Sequence, residues 1–306
     1  MHPFRFGITA SVAADAAAWV TLARRAEELG YATLVMPDHL TGQLAPMPAL
    51  AAAAGATRTL RIGTFVLAND YRHPLLMARE AATLQQLSGG RFELGLGAGW
   101  MRSDYRQLGM PYDRPGVRID RLLETLDITR RLFAGERVTH AGPHYPLDGA
   151  SLAPLPEITP PILVGGGGPR VLRIAARHAQ IVGLLAQFDR HGRPMVRQGT
   201  EAATARKIEI VRRTAGERFA RLELNVLVVD AALVGGQRSM GRSALALLKG
   251  AGAGLVGGSP YVLYGTVAQL RDTLLRRREL LGISYYVWSA RHVETMAPLV
   301  AALAGR

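Results

Sequence analysis

The residues Met36-Pro37-Asp38-His39 put a histidine directly after a short apolar run. An imidazole there can give or take a proton near neutral pH. A helix cap by Asp38 beside a surface His39 accounts for the same four residues equally well. A second pattern points to anion chemistry. In Ile162-Leu163-Val164-Gly165-Gly166-Gly167-Gly168-Pro169-Arg170-Val171, four glycines separate a buried strand from a helix. The backbone can approach a ligand closely, and the helix N-terminus offers free N–H groups to a phosphate. The run lacks the Gly-Lys-Ser/Thr of a P-loop, and it sits mid-chain, not in the usual place of a dinucleotide fingerprint. A tight strand-to-helix turn needing positive φ is the alternative.

Two further groups could surround a flat ligand. Phe65-Val66-Leu67-Ala68-Asn69-Asp70-Tyr71-Arg72-His73-Pro74 crowds polar and aromatic residues behind an apolar strand. Asn69 there could offer a donor and an acceptor to a polar ring edge, or simply cap the helix that Pro74 begins. In Gly95-Leu96-Gly97-Ala98-Gly99-Trp100 the small residues leave room beneath a ring and Trp100 could form a wall; close helix–strand packing with Trp100 in the core is the other reading. Tyr105 and Tyr264 stand behind His39 as secondary proton sources or substrate contacts. Histidines 2, 140, 144, 178, 191 and 292 show no metal-ligand spacing and read as surface residues. No metal is expected, and without a Gly-x-Ser-x-Gly elbow an α/β-hydrolase is disfavoured.

The elements that must position these groups alternate along the chain. Apolar runs at Phe4 to Ile8, Thr33 to Met36, Leu60 to Leu67, Phe92 to Leu96, Pro161 to Val164, Gln180 to Leu184, Leu222 to Val229 and Ser284 to Trp288 predict eight strands. Helical spacing marks Asp15 to Leu29, Pro48 to Thr57, Pro74 to Leu87, Val117 to Phe133, a helix from Arg170, Thr200 to Thr214 and Val293 to Ala304. Gly135 to Leu147 predicts a surface hairpin. Nearly all-apolar strands need cover on both faces, which predicts an α/β protein, a (β/α)8 TIM barrel in one domain over residues 1–306. A doubly wound open sheet is the alternative. Long connections at 41–47, 99–115, 185–199 and 235–262 would carry specificity, the Gly-rich stretch 235–258 above all.

Composition narrows the class. The chain has 306 residues and no cysteine, which excludes disulfide scaffolds, thiolate metal sites and a cysteine nucleophile. A formal charge of +13 favours anionic partners. The charges are scattered and no nucleic-acid motif is present, so a small-molecule partner is expected rather than nucleic acid. No long apolar run suggests a membrane span or a leader, so a cytoplasmic protein is expected.

Together these residues resemble the luciferase-like family of flavin monooxygenases and coenzyme F420-dependent oxidoreductases. The marks are Ala26-Glu27-Glu28-Leu29-Gly30-Tyr31, Pro37-Asp38-His39, Arg61-Ile62-Gly63-Thr64, Ser88-Gly89-Gly90-Arg91-Phe92, Gly95 to Trp100 and Gly165 to Pro169. Gly97 to Tyr105 and Arg114-Pro115-Gly116-Val117-Arg118 are similar to the F420-dependent actinobacterial branch. The resemblance implies a bacterial-luciferase-like barrel holding a deazaflavin in its mouth, and a non-prolyl cis peptide at Phe65-Val66. It implies that the Gly167-Gly168 and Arg170-Val171 backbone holds the cofactor phosphate, with Asp38, Ala68, Ala98 and Ser103 at other contact positions. It implies His39 as proton donor for hydride transfer between the deazaflavin C5 and a small organic substrate (C=C, C=N or C=O). Sugar-phosphate dehydrogenases of this branch carry Glu where this chain has Trp100, so an apolar or flat substrate is expected instead. Reduced FMN with oxygen, in a monooxygenase, is the alternative; a non-catalytic flavin-binding paralogue is the third reading. Family members often form homodimers through the helices after strands two and three, here the Ala-rich 49–56 and Leu75, Leu76 and Leu84.

Overall fold

The computed structural model describes residues 1–185, 196–233 and 258–306. Residues 235–257 of the 235–258 segment assigned to specificity, His191 and most of the 185–199 connection lie outside the described residues. The chain begins β1 (Arg5–Thr9), α1 (Ala16–Glu28), β2 (Thr33–Met36), α2 (Pro46–Ala56), β3 (Arg61–Thr64), β4 (Leu67–Ala68), α3 (Pro74–Leu87), β5 (Phe92–Gly97), α4 (Arg102–Gln107) and α5 (Pro115–Phe133). The hairpin β6 (Val138–His140) and β7 (Leu147–Ala150) follows. Then come β8 (Ile162–Gly166), α6 (Pro169–His178), β9 (Ile181–Leu184), α7 (Glu201–Ala215), β10 (Glu223–Val228) and β11 (Asp230–Leu233). The last elements are β12 (Val262–Gly265), α8 (Val267–Leu281), β13 (Ile283–Ser289) and α9 (Ala297–Leu303).

Strand neighbours in the large sheet run β3-β2-β1-β13-β10-β9-β8-β5-β4, and β3 pairs again with β5. The ring is closed. Because β3 and β4 are two lengths of one strand, it is an eight-stranded parallel (β/α)8 barrel. Every residue of β2 and β5 is buried, as strands covered on both faces must be.

By proximity the chain divides into two compact units. The first comprises residues 1–10, 25–34 and 165–306. In it β1 and β10 both pair in parallel with β13, and β10 pairs with β9. Phe6, Tyr286, Tyr31 and Trp288 form its aromatic core. The second comprises residues 11–24 and 35–164. In it β5 pairs with β3, β4 and β8. Arg91, from the Ser-Gly-Gly-Arg run, donates to the carbonyls of Ala54, Thr57 and Leu60 and so ties the end of α2 to the start of β3. Met47 and Ala51 of α2 and Leu76, Leu84 and Leu87 of α3 line a mostly apolar groove on this unit, with Arg79 and Glu80 also in its wall.

The structure departs from the sequence reading in several places. The strand read as Leu60 to Leu67 is interrupted at Phe65-Val66, whose peptide is cis, where the resemblance puts such a bond. The 99–115 connection contains α4. The closing helix is shorter than Val293 to Ala304, because residues 293–296 form a turn and the helix begins only at Ala297. The short parallel pair β11–β12 and the helix α8 have no counterpart among the elements expected from the sequence. Helix α8 starts with a Thr266/Gln269 capping box and stops at Gly282 with φ of 75°. No helix among the described residues is long and apolar enough to cross a membrane.

Candidate functional site

In the second unit, polar side chains gather at the C-terminal ends of β2, β4 and β5, the end of each barrel strand where this fold carries its chemistry. His39 lies three residues beyond β2. Its Nδ1 is 2.9 Å from Oδ2 of Asp104 on α4. The Asp104 side chain is fully buried, whereas that of His39 is 26% exposed. The Tyr71 hydroxyl donates to the same oxygen at 3.4 Å. A carboxylate on Nδ1 fixes the tautomer and leaves Nε2 as the ring atom free to meet a ligand. Trp100 packs edge-on against His39, with ring centroids 5.7 Å apart, and is itself 44% exposed. It is a wall at the surface, not a core residue.

A second layer holds this pair. Arg118 on α5 donates to the carbonyls of Ala98 and Gly99, and its guanidinium stacks on Tyr112 at 4.4 Å. The Tyr112 hydroxyl donates to the Trp100 carbonyl at 2.9 Å. The loop that presents Trp100 is therefore pinned from α5. Gly99 has φ of 69°, and a Cβ there would meet the Tyr105 hydroxyl at 2.3 Å, so the turn requires glycine.

Three of the residues singled out in the sequence are buried. Asp38 accepts from Arg72 on both its oxygens, at 2.6 and 3.3 Å, and from the Ala68 N–H at 3.1 Å. Asn69 is enclosed, its amide nitrogen donating to Asp70 and to the Tyr145 hydroxyl. Tyr105 is fully buried and its hydroxyl donates to Asp70 at 3.1 Å, which also pairs with Arg121. Burial and the Asp70 charge push the Tyr105 hydroxyl well above its usual pKa. The Asn69 Oδ1 is buried and has no hydrogen-bond partner among the described residues. Phe65 and Ala68 are buried, whereas Val66, Ala98 and Ser103 are half-buried.

The first unit carries the glycine turn. Gly165 ends buried in β8, and Gly166, Gly167 and Gly168 are half-buried. A Cβ on Gly166 would lie 2.4 Å from Cγ1 of Val171. Glycine there lets α6 start close against the strand. Gly168 is the N-cap of α6 and contributes no side-chain cap, so the helix begins without one. That arrangement suits a phosphate. Tyr264 also belongs to this unit; burial and the neighbouring Asp230 carboxylate raise its hydroxyl pKa.

Histidines read as surface groups are engaged. His140 and His144 flank Glu124, with His140 at 3.3 Å. His292 accepts from Arg291 at 2.8 Å and lies 3.4 Å from Asp230, and burial first, then Arg291, lowers its pKa. Sequence reasoning missed Asp104, Arg118 and Arg121. Only the wide sequence separation of the partners conceals them.

Residues 1–226 match the family model described as Luciferase-like monooxygenase. The chain belongs to that family. An F420-dependent glucose-6-phosphate dehydrogenase of Microbacterium testaceum is 37% identical over 163 residues, 51% of this chain and 48% of that protein. The chain thus spans about half the length of the curated relatives it matches. Among solved structures, an F420-dependent secondary alcohol dehydrogenase bound to an F420-acetone adduct superposes with a TM-score of 0.76 at 18% identity, over 98% of this chain and 99% of that one. A long-chain alkane monooxygenase superposes at 0.75 and 15% identity, over 99% and 92%. Both share this family's barrel.

Proposed function

We propose that the chain is a coenzyme F420-dependent oxidoreductase acting on a small organic substrate. The observation that carries the reading is the buried Asp104 on Nδ1 of a part-exposed His39, in a chain whose relatives include F420-dependent dehydrogenases. The glycine turn fits a phosphate-bearing cofactor: Gly166 admits no side chain, and the α6 N-terminus is free of a side-chain cap. Gly167, Gly168, Arg170 and Val171 would hold that phosphate through their backbone. When bound, the deazaflavin supplies a hydride or takes one up at C5.

The chain's residues supply the rest. His39 Nε2 gives the proton that balances an incoming hydride, or takes it in the reverse direction. Asp104 holds the ring with Nδ1 protonated and stabilises the imidazolium. Trp100 offers an apolar face in place of a carboxylate, which favours an uncharged, flat or apolar substrate over a sugar phosphate. The apolar α2–α3 groove would pair two copies as a homodimer.

A reduced-FMN monooxygenase is the second reading, favoured by the alkane monooxygenase neighbour; FMN carries a phosphate for the same turn. Calorimetric titration of the purified protein with F420 and with FMN separates the two. Micromolar F420 binding with much weaker FMN binding supports the deazaflavin reading and leads to a substrate screen with reduced F420. The opposite preference moves the chain to the oxygen-using branch. Binding of neither sinks both.

A further inference from the structure

Lys207 on α7 is a buried cation that the proposed reaction leaves unused. It is 4% exposed, yet its bonding partners among the described residues include no carboxylate. Its ammonium donates to the carbonyl of Leu185 at 2.9 Å, to that of Gln198 at 3.0 Å and to the Tyr261 hydroxyl at 3.3 Å. Three donors meet three acceptors, so the group is saturated. Burial without a counter-ion pushes its pKa down to about 8.

The acceptors show what this arrangement achieves. Leu185 follows β9, Gln198 precedes α7, and Tyr261 precedes β12 while its carbonyl accepts the Val229 N–H beyond β10. The ammonium thus joins segments at the C-terminal ends of two neighbouring barrel strands. Leu185 is held from both sides. Its carbonyl accepts from Lys207, and its N–H donates to the Gly166 carbonyl at 3.1 Å. Gly166 is the turn residue that Val171 packs against. A continuous path of bonds runs from the ammonium through one residue to the glycine turn.

We propose that Lys207 is a positioning residue for the phosphate-binding turn, acting through Leu185 to fix the Gly166 carbonyl and with it the orientation of the N–H groups that follow. The inference rests on the phosphate-binding reading of Gly165–Gly168. A methionine at 207 fills the space but leaves three acceptors without their donor. An arginine keeps the charge and donors in a different shape.

The test uses ligands that differ only in the phosphate: FMN against riboflavin, and F420 against its phosphate-free ribityl deazaflavin. Lys207→Met is expected to weaken FMN and F420 about tenfold or more, and to leave the phosphate-free partners within about twofold. Lys207→Arg should recover part of the loss. Equal weakening of both members of a pair, or no change in either, overturns the proposal. Should Lys207→Met fail to fold, Lys207→Gln is compared by the same ratio. If the wild-type protein binds FMN no better than riboflavin, and F420 no better than its phosphate-free form, the turn reading itself fails and takes this inference with it. That outcome is seen before any variant is made.

Discussion

Asp104 reaches His39 across 65 positions of sequence, and its value to the reaction can be separated from its value to the fold. Asp104→Asn keeps shape but offers Nδ1 a group that can also donate, so the ring loses its tautomer preference. Steady-state kinetics should show kcat reduced about 10²-fold or more with KM nearly unchanged. A fall in KM affinity of the same size would instead mark Asp104 as a substrate ligand. Tyr105 lies one layer farther back. Tyr105→Phe removes its bond to Asp70 while Arg121 still pairs with that carboxylate. Urea unfolding should register a loss of about 1 kcal/mol, and the cofactor affinity should not move. His39 could be picked out from the sequence, since a histidine after Pro-Asp at a strand end is conspicuous. Asp104 could not, because nothing local says which distant carboxylate will face it. The same holds for Arg118 and Arg121, which read as ordinary charged positions on a helix until α5 is folded against β5 and the loop after it. Burial, likewise, cannot be read from residue type: Asn69 and Asp38 are polar and yet enclosed.

At the scale of elements, the strand-to-helix turn at Gly166 has no room for growth. Gly166→Ala would drive a methyl into Val171 and should cost about 1–3 kcal/mol of stability. Adding Val171→Ala should return part of it, measured by denaturant titration of the single and double variants. Two independent, additive losses would show that the clash is not the cause. Elements with strong apolar runs were legible: β2, β5, β8 and β9 fall where Val, Ile and Leu cluster between breakers. Helix α8 escaped because Arg271, Arg276, Arg277 and Arg278 mask its apolar positions Leu270, Leu274 and Leu281. The pair β11–β12 escaped because its partners come from distant parts of the chain. The interruption between β3 and β4 left no trace in the apolar pattern, and only the family resemblance pointed to it.

For the whole molecule, buried titrating groups set the stability profile in alkali. Lys207 ionises normally at 10.5 but at about 8 when folded. Between these values the unfolded chain binds more protons, so this group makes stability rise with pH from about 8. Tyr71, Tyr105 and Tyr286 act oppositely: burial raises each above its usual 10.0, so above pH 10 they favour unfolding. The wild-type protein should gain stability relative to Lys207→Met between pH 8 and 10 in urea titrations, and a flat difference would contradict the buried ammonium. Assembly can be tested separately. Leu76 and Leu87 are exposed on the α2–α3 groove, and changing both to Glu should convert a dimer to a monomer in light scattering without altering far-ultraviolet circular dichroism. The distribution of indoles has a practical result. Trp19 and Trp288 are 3% and 0% exposed, whereas Trp100, beside His39, is 44% exposed. Acrylamide will therefore reach one emitter and spare two, so the quenchable, red-shifted fraction of the protein's fluorescence is a built-in reporter. Its disappearance on adding a compound would mean that the compound covers the wall beside the imidazole, before any turnover is measured.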